Sequence, residues 1–135
     1  MIEDELRRIR EVAAFVAGWL GAGVIAICME EQGHPPKASR TNIRKMAYPV
    51  ALVGALAGER GIPVLPVPPK QIKKMLTGSG TATKKDVQAA LEARYGAIEW
   101  PKQRSLHEHP SDALGAIVAC LDHPTIQMAR RMMVG

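Results

Sequence analysis

The sequence predicts an α/β fold, and three observations carry that expectation. Two short apolar runs, at 24–29 and 61–67, stand between segments of helical period. The first, VIAICM, has no polar alternation, as in a strand covered on both faces of a parallel sheet. The order helix, strand, helix, strand and then helices is the α/β pattern. With 135 residues and 47% hydrophobic content, a single domain over 1–135 with a real core is expected.

Leu6, Ile9, Ala13, Val16 and Leu20 recur three or four apart, which predicts an amphipathic helix over about 3–20. Glu3, Asp4 and Glu5 oppose its dipole, and Gly21 and Gly23 end it. After the strand come Glu30 and Glu31, then a Gly- and Pro-containing loop. Residues 41–58 predict a helix with Ile43, Met46, Ala47, Val50, Val53 and Leu56 inward, kinked or split near Tyr48 by Pro49. Pro63 and Pro66 place the second strand at an edge.

Pro69 opens the next helix, and Thr83 with Asp86 approximates a capping box for the one after it. Val87, Ala90 and Leu91 form that helix's inner face, and a long connection over 96–109 follows. Residues 110–121 predict a helix with Ala113, Leu114, Ile117, Val118 and Leu121 inward. A helical tail over 125–134 carries a stripe of Met128, Met132 and Met133.

Composition narrows the function. The net charge of +5 points to an anionic partner, nucleic acid first. Aromatic residues at 4% are too few for a base-stacking platform, which suits a protein that holds duplex backbones. Cys28 and Cys120 form no CxxC motif and read as buried thiols in a reducing cytoplasm. The charged N-terminus is no secretory signal, and glycines break the longest apolar run, so no membrane span is expected.

Five of the eighteen basic residues, Lys70, Lys73, Lys74, Lys84 and Lys85, flank the turn Thr77-Gly78-Ser79-Gly80-Thr81. Such a turn lets backbone N–H groups approach a phosphate, with Gly78, Ser79 and Gly80 as contacts. It lacks the GK[ST] ending of a Walker A loop and does not follow a strand, as a dinucleotide fingerprint would. A plain inter-helix turn is the simpler alternative.

Glu30 and Glu31 close a buried strand, where open α/β sheets place functional groups. A strand that simply exits to solvent would read the same. Asp112 lies three residues after His109, on one helix face if the helix starts there. An N-terminal acid favoured by the helix dipole is the plainer reading. Carboxylates suit a hard cation such as Mg²⁺ better than the His107-Glu108-His109 tract does.

Taken in order, AICMEE, VPPKQIKKMLTGSGTATKKDVQAAL and HPSDALGAIVACL resemble a RuvC-type Holliday-junction resolvase. The family's proline, two lysines, TG-x-G and V-Q helix match 68–88, and its D/H-x-x-D-A-L-A ending matches 109–115, with Gly115 in the last place. The resemblance covers roughly 5–122. It implies an RNase H-like mixed sheet flanked by helices and a cytoplasmic homodimer acting as a crossover junction endodeoxyribonuclease. Each subunit would cut one strand of a four-way DNA junction with two Mg²⁺ ions, Mn²⁺ being an alternative. Glu30 or Glu31, His109 and Asp112 are then metal ligands. The lysines, with Arg40 and Arg44, hold DNA. The family opens with strands, the first ending in Asp-x-Gly. No such motif precedes the first helix here, so the sheet is expected to lack those strands. A catalytically impaired remnant that binds branched DNA is the alternative.

Overall fold

The computed structural model describes residues 2–31, 40–102 and 108–135, with the side chains of 40–46 and 108 outside that description. The elements are α1 (Ile2–Trp19), β1 (Ile27–Glu30), α2 (Arg40–Glu59), β2 (Val64–Val67), α3 (Pro69–Thr77), α4 (Lys84–Tyr95), α5 (Glu108–Cys120) and α6 (Pro124–Val134). They group into two compact units, one of 1–27 with 32–64 and one of 28–31 with 65–135.

In the first unit α1 packs along α2. Arg7 pairs with Asp4 and Glu11, and Arg8 with Asp4, one turn apart on an exposed face. The apolar stripe expected to face inward is only partly covered. No residue of α1 is buried, and Leu6 is exposed. Two helices share one interface, which cannot enclose either of them. Pro49 does not split α2, which stays helical from Arg40 to Glu59. The ring removes only the amide of position 49, and the turns on either side remain helical.

Most of the two-stranded sheet belongs to the second unit. The amide of Ile27 donates to Pro63 O and that of Glu31 to Val67 O, both at 2.9 Å, so the pairing advances in parallel. β1 is half-buried throughout, not covered on both faces as its apolar run suggested. In β2, Leu65 and Val67 are buried and Pro66 is exposed, in the alternation of a one-sided strand. Pro69 opens α3 at its first turn, and Gly78 closes it with φ +80°, a left-handed conformation that glycine adopts freely. The capping box expected for α4 is present. Asp86 N donates to Thr83 Oγ1 at 3.3 Å, and Thr83 N to Asp86 Oδ2 at 2.8 Å.

The core of this unit is Val87, Leu91 and Val118, with Leu76, Ile98, Trp100 and Leu114 against it. Trp100 Nε1 donates to Glu92 Oε1 at 2.6 Å, which folds the connection after α4 back onto that helix. The inner face of α5 differs from expectation. Ser111, Gly115, Ala116, Val118, Ala119 and Cys120 are buried, whereas Ala113 and Ile117 are exposed. Small residues occupy the inner face because neighbouring helices approach closely there. Ile126 anchors α6, and Met128, Met132 and Met133 face solvent.

Candidate functional site

Glu30 is the last residue of β1, and Cys28 lies two residues before it on the same strand face. The Cys28 thiol is hydrogen-bonded with Cys120 near the end of α5, and burial with that contact pushes it up to about 12. Asp112, in the first half of α5, acts electrostatically on Glu30. Together they fix the direction of α5, which runs opposite to β1, with Asp112 toward Glu30 and Cys120 at Cys28. This orientation brings a strand-end carboxylate and a helix carboxylate together.

Glu30 is half-buried, and its carboxyl is raised above the ordinary range. Burial is the largest cause, and the negative charge of Asp112 is the second. Lys84 and Lys73 pull in the opposite direction. Two carboxylates and two ammonium groups from four elements therefore share one electrostatic neighbourhood. Two like charges held close, one of them poorly hydrated, are a ready acceptor for a hard cation. Glu31, next along the chain, is exposed, and its amide pairs with β2. The fold thus separates two neighbours that the sequence left equivalent.

His109 is exposed in the first turn of α5. Among the described residues, no three His, Cys, Asp or Glu side chains come close enough to hold a metal ion, so His109 does not complete a three-ligand set with Glu30 and Asp112. Arg40 and Arg44 belong to α2 but lie outside the residues whose side chains are described.

Lys70, Lys74, Lys84 and Lys85 are exposed, and Lys73 is half-buried. The turn between α3 and α4 is tied together internally. Gly78 N donates to Lys74 O at 2.9 Å, and Ser79 N to Thr77 Oγ1 at 3.2 Å. Thr81 N donates to Ser79 Oγ at 3.3 Å, and Ala82 N to Ser79 O at 3.3 Å. Gly80 rests against the carbonyl of Lys70, 3.5 Å from where its Cβ would stand. Most amides of the turn are therefore engaged, and the lysines around it make its surroundings positively charged.

Sequence reasoning missed two features. Cys28 meets Cys120, which spacing in the chain cannot show. Gly115 lets α3 seat on α5. A glycine inside a helical period was a signal for that close approach.

No protein-family model matches the chain. It is similar to the crossover junction endodeoxyribonuclease RuvC of Pseudothermotoga lettingae, 36% identical over 80 residues, 59% of this chain and 45% of that protein. With the RuvC of Corynebacterium diphtheriae it shares 29% over 121 residues, 87% of this chain and 67% of that protein. The matched stretch thus spans from about half to two thirds of the length of these relatives. In structure it is similar to Thermus thermophilus RuvC in complex with Holliday junction substrate, with TM-score 0.73 and 25% identity over 90% of this chain and 70% of that one. A second T. thermophilus RuvC structure gives 0.67 and 27% over 84% and 65%. The helix-rich architecture with its small parallel sheet is similar to that of RuvC, an RNase H-like fold.

Proposed function

We infer that this chain, a relative of the RuvC crossover junction endodeoxyribonucleases in sequence and in fold, binds four-way DNA junctions and hydrolyses a phosphodiester bond in them with a divalent cation. The observation that carries the reading is the Glu30–Asp112 pair with Lys73 and Lys84 beside it. Nucleic-acid hydrolysis needs both kinds of group in one place: carboxylates for the cation and cations for the phosphate.

The donor set fits part of such a metal site. Glu30 and Asp112 offer hard oxygen ligands, and their mutual repulsion favours a cation between them. His109, one turn before Asp112, and exposed Glu31 are the next candidates as ligands. A bound Mg²⁺, or Mn²⁺ in its place, would activate water and stabilise the departing oxygen. The chain's own groups do the rest. Lys73 and Lys84 draw a phosphate to the carboxylates, while Lys70, Lys74 and Lys85 hold its neighbours along the strand. Gly78, Ser79 and Gly80 let the turn between these lysines stay compact, and Arg40 and Arg44 are further candidates for DNA contact. A homodimer suits the substrate, because a four-way junction presents two equivalent strands to a two-fold pair.

A second reading, a branched-DNA-binding remnant, is favoured by one observation. Among the described residues Glu30 and Asp112 are not joined by a third ligand.

Both readings are tested first by binding. A labelled four-way junction and a linear duplex of equal length are titrated without divalent cation over a salt series. The junction should bind more tightly, with affinity falling steeply as salt rises. Neutralising Lys73 and Lys74 together should lower the slope of log affinity against log salt by about two. Equal affinity for junction and duplex would remove both readings.

A further inference from the structure

Gly115 lies inside α5, one turn beyond Asp112. Glycine weakens a helix there by about 1 kcal/mol relative to alanine. The packing gives it a reason. A Cβ at 115 would stand 2.8 Å from Ile72 Cγ2 and 3.3 Å from Leu76 Cδ1, both on α3. Ile72 is 3% exposed, and its Cγ2 is fixed to a branched Cβ, so it has little freedom to swing aside. At this point α3 therefore rests directly on the backbone of α5. Lys73 is the residue after Ile72, and its charge reaches Glu30. The spacing that Gly115 permits between α3 and α5 is the spacing between Lys73 and the carboxylate pair.

We propose that Gly115 is a positioning residue, whose missing Cβ seats α3 against α5 and so holds Lys73 at the Glu30–Asp112 pair. The inference rests on the reading of Lys73 as a phosphate contact. Alanine at 115 pushes α3 outward and carries Lys73 away from the phosphate that the pair addresses.

The test measures junction binding without divalent cation, over a salt series, for wild type, Gly115→Ala, Gly115→Ala/Ile72→Leu, Lys73→Met and Gly115→Ala/Lys73→Met. Lys73→Met should weaken binding roughly three- to tenfold and lower the salt slope by about one. Gly115→Ala should reproduce most of that loss while retaining a cooperative melt. Leucine at 72 lacks the Cγ2 methyl at nearly equal volume, and should restore both affinity and slope. In the Lys73→Met background, Gly115→Ala should add nothing.

Three results overturn the proposal: a folded Gly115→Ala protein that binds like wild type, a loss that persists beside Lys73→Met, or a loss that leucine at 72 does not repair. If Gly115→Ala does not fold, the relieved Gly115→Ala/Ile72→Leu protein carries the test alone, and weaker junction binding than wild type by that folded variant overturns the proposal equally. A wild-type chain with no junction preference overturns the functional reading, and this inference with it. Junction binding by wild type with no effect of Gly115→Ala overturns this inference alone.

Discussion

A carboxylate that is poorly hydrated and faces another carboxylate costs stability when ionised. Glu30 is in that position, and the lysines beside it offset only part of the cost. Its raised pKa means the folded chain holds the proton more tightly than the unfolded chain does. The stability contributed by this group is present below its ordinary value of 4.5 and is lost as pH rises through the raised value. Glu30→Gln should therefore stabilise the fold at pH 7 by about 0.5–1 kcal/mol, a modest figure because the group is partly solvated. Below about pH 4.5 the gain should vanish. Urea unfolding of both proteins at pH 4 and pH 7 measures the difference. An equal effect at both pH values would show that Glu30 is not held in this environment. The same protonation competes with a cation, so affinity for Mg²⁺ should fall as pH drops through that window.

At the scale of elements, α4 presents Lys84 at its first position, and its start is set by the Thr83–Asp86 capping box. Thr83→Ala should cost about 1 kcal/mol in urea unfolding, because the amide of Asp86 loses its acceptor. The box was legible in the sequence, since Thr-x-x-Asp is a local pattern with a local cause. So were the Pro69 start of α3 and the order of the elements. The inner face of α5 was not. Its apolar residues surround the helix, so no period marks one side. What chooses Ser111, Gly115 and Ala116 over Ala113 and Ile117 is contact with α3 and α4, which are distant in sequence. The choice between Glu30 and Glu31 was open for a similar reason. Adjacent strand residues differ only by the face they present, and the face is set by α5. The Cys28–Cys120 contact was equally hidden in the chain.

At the scale of the whole molecule, the proposed function depends on uniting acidic and basic groups in one place. Glu30 and Asp112 come from residues far apart in the chain, and Lys73 and Lys84 from the two helices flanking one turn. All four lie within one compact unit. The described residues contain no helix long and apolar enough to cross a membrane. The central claim is that this unit cuts branched DNA through its carboxylate pair. The most direct measurement incubates a four-way junction with Mg²⁺ and either wild type, Glu30→Gln or Asp112→Asn, and maps nicks on each strand. The account predicts paired nicks on opposite strands with wild type. Each variant should lose them by roughly a hundredfold or more while keeping junction affinity. Nicking that survives unchanged in Asp112→Asn, or a wild type that binds the junction and leaves it intact, would contradict it.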